Sequence, residues 1–535
     1  MITTHLRRST RWTPSLAALA VLLSTTALAQ HDHHSYQALG KVHSPVTCSP
    51  EAQRLFDEAM KLQHSFWYQA AAEKFKAVLA RDPSCVMASW GYALSLLTNP
   101  FSPPSARNLA EGLAALEQAQ KIGPKSQRES GYIDALLAFY RDHDKKDHRT
   151  RVAAYEQAME KLAAAYPEDP EARVFYALAL NVAASPTDKT YAKLLKAAEI
   201  LEAEWQRQPE HPGVAHYLVH TYDYPPLAER GLKAAQRYSE IAPDAPHALH
   251  MPSHIFTRVG YWEQSVASNS RSAEAARKDR SASDELHAYD YMVYAHLQMG
   301  QIEAAKRVVE DAKRFATLDA SARNAAYFAL AAMPARLVME RGAWQEGATL
   351  TPRKSSFPYT EALTHFARAV AFARSGKPEE TGAGINALKE LVEALRGKDA
   401  YWAEQVDIQR QAAEAWAEFA RGRREAAIDI IRQAAEREGR TEKHAVTPGP
   451  LAPAREQLAE MLLELGRPQD ALKEFVAVQG TEPNRFRAVY GAARAAELAG
   501  DSETAKRHYV QLTSLAAKAD TTRPEIEAAK KYLAN

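Results

Sequence analysis

The spacing of a few small and aromatic residues constrains this chain more than any other feature. Ala71, Phe75 and Pro83 recur as Ala471, Phe475 and Pro483, with Gly466 ahead of the second set. Gly300, Ala305 and Val309 repeat the first part of the pattern, as do Gly500, Ala505 and Tyr509. The order is a helix, a Gly or tight turn, a second helix with Ala and then a larger apolar residue four positions on, and a Pro. The small Ala lets two helices approach, the larger residue fills the gap, and Pro stops the second helix because it has no N–H to donate.

Around these marks, Ala-rich helical periodicity runs nearly end to end. The intervals match a helical hairpin of about 34 residues, the tetratricopeptide type. The expected fold class is all-α: a tetratricopeptide-like solenoid of about 11–12 helix pairs, each packing on its neighbours. Two stretches interrupt it. Residues 349–359, "TLTPRKSSFPY", truncate one second helix, and 440–456, "RTEKHAVTPGPLAPARE", form a long Pro-bearing connection. They divide the chain into a leader (1–29), a tail (30–48), an N-terminal array (49–348), a middle set of repeats (357–440) and a C-terminal set with a capping helix (449–535).

The leader reads as an export signal. Arg7, Arg8 and Arg11 precede the short apolar run "SLAALAVLLS", and Ala27-Leu28-Ala29 is an A-x-A cleavage site. The run is too short for a stop-transfer helix, and nothing later in the sequence reads as a membrane span. The expected location is the periplasm or outside the cell, with cleavage after Ala29. Cys48 and Cys85 are the only cysteines, and an oxidising compartment favours their pairing as a disulfide. The "HDHH" stretch with His31, His33 and His34 then lies close to the new N-terminus, where disorder is the usual state. With 67 Lys+Arg against 66 Asp+Glu, no charge excess points to nucleic acid or to an anionic membrane surface.

"HSFWYQAAAEKF", "DPSCVMASWGYALSL", "HYLVHTYDYPPLAERG", "PHALHMPSHIFTRVGYW" and "PNRFRAVYGAARAAELAGD" resemble an exported bacterial tetratricopeptide-repeat family over nearly the whole mature chain. The resemblance implies the fold and the compartment but no reaction. It also implies that the first helix of each hairpin lines a concave groove.

The histidines carry the chemistry. His247, His250 and His254 stand thirteen, ten and six residues before Gly260; His287, Asp290 and Tyr294 stand at the same offsets before Gly300. A shift of 34 residues places His216 opposite His250 and His220 opposite His254, and Asp223 extends the same face. Three successive first helices therefore carry polar groups away from the apolar stripe of Leu249 and Phe256. Helices ~8–10 Å apart allow imidazoles from neighbours to meet at one ion. The candidate metal ligands are His216, His220, His250, His254, His247, His287, Asp290 and Asp223, a nitrogen and carboxylate set suited to Zn, Fe, Mn or Cu. Arg258 and Tyr294 are candidate groove contacts. Pro252 threatens the helical face by kinking it.

Other readings of the same residues stay open. The histidines could bond carboxylates or tyrosines, or meet a peptide in the groove without metal. His296 falls on the packing stripe and reads as a core residue, while His143 and His148 lie in a charged turn and read as solvated. There is no phosphate loop, no G-x-S-x-G, no H-E-x-x-H and no C-x-x-C. The sequence thus supports an exported scaffold that binds a protein or peptide in its groove and carries a His/Asp metal cluster. The alternative is a metal-dependent hydrolase or oxidoreductase with that cluster as active site.

Overall fold

A computed structural model of the chain describes residues 38–318 and 322–534; the leader, its cleavage site and the "HDHH" tail lie outside the described residues. Residues from 38 onward form one compact unit. The described residues are helical with no strand. They form twelve helical hairpins, from Pro50–His64 with Tyr68–Arg81 to Phe486–Ala499 with Ser502–Leu515, and Pro524–Ala534 caps the last. Helices pack mainly on the next one or two in the chain, the contact pattern of a solenoid. No helix among the described residues is long and apolar enough to cross a membrane.

The repeated marks act as their spacing predicts. Ala71 and Phe75 are fully buried, as are Ala471 and Phe475. Gly91 and Gly491 complete the pattern: a β-carbon at either would stand 2.3 Å from the ring of Phe75 or Phe475. Between the two helices of a hairpin, Gly260 (φ +71°) and Gly300 (φ +69°) take the left-handed conformation that ends a first helix. Ser49 caps the helix Pro50–His64 by accepting from the N–H of Ala52. Beside it Cys48 is bonded to Cys85, with Cα atoms 5.0 Å apart. Closing a loop of this length is worth about 3–4 kcal/mol against the unfolded chain.

The array closes on itself. Trp262 donates from its indole to the carbonyl of Asn484 (2.9 Å), and the side chain of Gln298 accepts from the N–H of Phe486 (2.9 Å). Tyr294 donates to Glu482 (3.0 Å), and the carboxylate of Asp520 caps the N–H groups of Glu303 and Ala304. The sixth and seventh hairpins thus touch the last ones.

The connection between the helices Arg424–Gly439 and Ala454–Glu464 runs across the inner ends of the first helices. Glu442 accepts from Lys189 (2.6 Å) and Tyr191 (2.7 Å), and its own N–H donates to the carbonyl of Pro186 (2.8 Å). Lys443 reaches Asp223 at 3.3 Å. Tyr291 donates toward the carbonyls of Ala445 and Thr447, and Arg336 bonds Thr447 (2.8 Å) and the carbonyl of Pro450 (3.2 Å). Glu442, Val446, Thr447 and Leu451 are buried. This strap joins two sets of repeats and also occupies the inner face of the middle ones.

The close approach at Gly491 yields a test. Helix propensity alone would make Gly491→Ala stabilising by up to about 1 kcal/mol. The Phe475 ring in its way makes the change destabilising by about 1–3 kcal/mol, read as a lower urea midpoint; Gly91→Ala behaves the same way.

Candidate metal centre

Two sets of three imidazoles converge. His216, His220 and His247 present ligand atoms within 4.8 Å of one another, and so do His250, His254 and His287. Each set takes a His-x-x-x-His pair from one first helix and a single histidine from a later position. The helix Pro212–Tyr222 supplies His216 and His220, and His247 comes from Pro246–His250. His250 and His254 flank the Pro252 kink, and His287 comes from Ala282–Gln298. Met251 keeps right-handed helical dihedrals through the kink (φ −54°, ψ −34°), so both imidazoles stay on one face. Ser268 and Ser272 donate to the carbonyls of Leu249 (2.6 Å) and Pro246 (2.8 Å), which satisfies backbone at the broken segment.

Hydrogen bonds decide which nitrogen His216, His250 and His254 offer. His216 Nδ1 lies 2.7 Å from the carbonyl of His64. A carbonyl only accepts, so Nδ1 holds the proton and Nε2 carries a bare lone pair. His254 Nδ1 donates to Asp223 (2.8 Å). His250 Nδ1 donates to the side-chain oxygen of Asn269 (2.6 Å), whose amide nitrogen is fixed by the carbonyl of Ser265 (2.8 Å). His250 Nε2 and His254 Nε2 then face each other at 3.0 Å with no proton between them. His216 Nε2 faces His220 Nε2 and His247 Nε2, each at 3.1 Å. His287 Nδ1 is buried with no hydrogen-bond partner.

Burial sets the protonation. It drives His216 down to about 3, although the His64 carbonyl favours the charged form. It pushes His220, His247, His250 and His287 well down, and the neighbouring imidazoles add to the effect. His254 is lowered by burial against the opposing pull of Asp223. The cage is neutral at physiological pH, the state a metal ligand requires. Two imidazole nitrogens on one tetrahedral ion with ~2.0–2.1 Å bonds stand about 3.3 Å apart; His216 with His220, His216 with His247, and His250 with His254 already hold their nitrogens near that spacing. His247 and His287 are partly exposed, while His216, His220, His250 and His254 are buried.

Asp223 supports the cage and is not part of either set. Besides His254 it bonds Arg258 (2.8 Å) and Lys443. Burial opposes its ionisation, but Lys443, Arg258 and His254 outweigh this and hold it well below the usual carboxylate range. Asp290 stands apart too, because Arg336 takes both of its oxygens (2.8 and 3.3 Å) in a buried pair. Arg258 and Tyr294, expected at an open groove, are buried: Arg258 under Asp223, Tyr294 between Glu482 and Arg485.

His64 and His211, with Glu171, form a third group. Both rings bond Glu171 at 2.9 Å, Tyr217 bonds His64 Nδ1 at 2.9 Å, and the N–H of Val214 donates to His211 Nδ1. Every ring nitrogen is thereby used, so the group is a fixed support. It anchors the helix end whose carbonyl orients His216. Phe66, in the left-handed region at φ 53°, lays its ring on His216, His220 and His247. Phe101, from the loop at 99–105, covers His220.

Sequence reasoning passed over His64, Phe66, Asn269 and Lys443. One signal for Asn269 was present: Ser265, Ser268, Asn269 and Ser272 are polar residues on the buried stripe of a second helix. His296 bonds Gln301 (2.7 Å) and is part-buried. His148, expected in solvent, is instead half-buried against Phe139, with a buried Nδ1 that has no partner.

No protein-family model and no curated protein matches the chain. Solved structures similar to it include yeast Tom70, at 10% identity over 90% of this chain and 95% of that one, with a TM-score of 0.34. The TPR domain of P58(IPK) matches at 11% identity, 90% and 98% coverage and a TM-score of 0.22. The human IFIT1 dimer with m7Gppp-AAAA matches at 12% identity, 81% and 90% coverage and a TM-score of 0.32. TM-scores this low carry no argument about site or partner; the helical-hairpin architecture stands on the helices described above.

His148 gives a pH test. Burial, then Arg151, lower it to about 4. Between that value and about 6.5 the unfolded chain holds a proton that the folded chain does not, so stability falls as pH drops through this window. His148→Leu should remove about 2 kcal/mol of the stability difference between pH 7 and pH 5, measured by urea unfolding at both pH values.

Proposed function

We propose that this protein is an exported helical-repeat metalloprotein that holds transition-metal ions at two three-histidine sites inside its solenoid. The carrying observation is the 3.0 Å approach of His250 Nε2 and His254 Nε2, both deprotonated because their Nδ1 protons are committed to Asn269 and Asp223. Two lone pairs that close repel unless a cation lies between them. A proton is disfavoured there, since burial lowers both rings. A metal ion fits, and a ligating histidine whose other nitrogen donates to a carboxylate, an amide or a carbonyl is the usual arrangement. All-imidazole sites without thiolate suit Zn or Cu first, then Fe or Mn. Three protein ligands leave one position of a tetrahedral ion for water or substrate, unlike a closed four-ligand structural site. Bound there, the ion would supply Lewis acidity or redox chemistry; the chain's own residues hold the rings and, by burying them, keep the ligands unprotonated.

Partner binding by the helical array stands beside this reading. At the middle repeats a peptide would compete with the strap, whose Glu442, Lys443 and Thr447 already bond the inner face. An oxidising compartment, to which the leader would send the chain, accords with the Cys48–Cys85 bond.

The test is elemental analysis and zinc and copper titration of the untagged chain, with His31, His33 and His34 replaced by Asn so that the tail cannot contribute. The expected result is near-stoichiometric metal, lost from one site in His250→Asn/His254→Asn and from the other in His216→Asn/His220→Asn. Asn269→Leu should keep the stoichiometry and weaken one site about 10–100-fold. A folded wild-type chain that binds no metal would refute the proposal.

A further inference from the structure

The helix His148–Ala165 carries a charge that the fold leaves unanswered. Among the described residues the buried arginines Arg258, Arg336, Arg485 and Arg523 each pair with a carboxylate. Arg151 is as deeply buried, at 3% exposure, yet its Nε and Nη1 have no hydrogen-bond partner. Asp147, the carboxylate that acts on its charge, instead accepts from the N–H and the hydroxyl of Thr150, each at 2.9 Å. The guanidinium lies over the ring of Phe139, 4.5 Å from its centroid. A ring face attracts a cation without supplying the oxygen acceptors that a guanidinium fork takes. Burying a charge that has no such partner is costly.

A cavity stands beside this charge. Its empty volume, mouth included, is about 440 Å³, and its walls are almost wholly apolar, with Leu94, Phe139, Val152 and Leu178 among them and the loop at 99–105 along one side. His148 and Tyr155 line it as well. His148, Val152 and Tyr155 follow one another at spacings of four and three, so one face of their helix forms this wall. Arg151 falls on the same face, one turn after His148 and one turn before Tyr155, with its guanidinium on a ring of the lining. His148 Nδ1 is also buried without a partner, and its ring packs on Phe139 with centroids 5.7 Å apart. Two unpaired polar groups, a cation and an imidazole that burial keeps neutral at physiological pH, thus flank one apolar cavity.

We propose that this cavity binds a small apolar monocarboxylate, of the size of benzoate or octanoate, with its carboxylate on Arg151 and His148 and its hydrocarbon body against Leu94, Val152 and Leu178. One unpaired cation beside one neutral ring calls for a single negative charge. The guanidinium fork matches the two oxygens of a carboxylate, and neutral His148 can hold its proton on Nδ1 and donate to the same group. Apolar walls reward a hydrocarbon body over a bare inorganic anion. The site is separate from the histidine cage, since none of the six cage rings lines this cavity.

The experiment is a calorimetric titration of the untagged full chain with benzoate and octanoate, beside their neutral counterparts benzyl alcohol and octanol. The expected result is one carboxylate per chain, bound about 10–100-fold more tightly than the matching alcohol. Arg151→Met keeps an apolar stem and should abolish that preference. It should also leave the urea midpoint level or higher, because the free chain loses an unpaired buried charge. An arginine with a purely structural role would lower the midpoint and leave binding as it is. Ala179→Leu, which fills the cavity from the helix Pro170–Ala183, should weaken acid and alcohol alike. No carboxylate binding by the wild type, equal affinity for acid and alcohol, or acid binding unchanged in Arg151→Met would overturn the proposal; the last result would move the carboxylate to another site, such as a metal ion in the cage. Should Ala179→Leu misfold, the comparison of wild type with Arg151→Met still decides the matter.

Discussion

Three rings of the cage, His216, His250 and His254, present a lone pair because the other nitrogen of each donates its proton to a fixed acceptor. Much of the surrounding structure follows from that requirement. The carbonyl serving His216 belongs to the last residue of a helix, so that helix end must be held; His64, Glu171, His211 and Tyr217 hold it. The acceptor of His254 is a buried carboxylate, which needs cations, and Arg258 and Lys443 supply them. The acceptor of His250 is an amide on a second helix, where a stripe of small polar residues replaces the usual apolar packing. Removing one acceptor lets its ring choose the other tautomer, and the lone pair turns away from the cage.

A repeat protein is suited to such a site because repetition brings equivalent positions of successive helices side by side. A histidine pair that faces inward in one hairpin faces inward in the next if the same offsets are kept. The cost is that several neutral imidazoles are buried with few hydrogen-bond partners on their Nε2 side. A buried polar atom left unpaired costs on the order of 1–3 kcal/mol. The cage is therefore an expensive arrangement when empty, and a ligand ion would relieve that cost.

The hairpin array and the inward histidine face were legible in the sequence, because both rest on local periodicity and on offsets from helix-ending glycines. The 34-residue shift brought His216, His220, His250 and His254 together on paper, and His287 followed from its distance to Gly300. Asp290 and Tyr294 occupy equally correct offsets yet belong elsewhere. In the seventh hairpin the inner face meets Arg336 and the returning C-terminal repeats, and those neighbours capture both side chains. Nothing local in the sequence announces that closure. The same holds for His64, which meets Glu171 and Tyr217 from 107 and 153 positions away. His148 misled for a simpler reason: its charged neighbours face water while its own ring folds back onto Phe139.

The strap changes what kind of polymer this is. An ordinary repeat array is nearly one-dimensional: its stability adds along the chain, its ends can fray, and folding can spread from any point. Here Lys189 bonds Glu442, 253 positions later, and Asp223 bonds Lys443 across 220. Contacts at such separations form only after a large loop has closed, and they raise the contact order well above that of an open array. The early repeats can form while the late ones are still unfolded, but the inner face around Asp223 stays uncovered until the strap arrives. Assembly of the histidine cage thus reports on completion of the whole chain, and the protein should lose its repeats together rather than one by one.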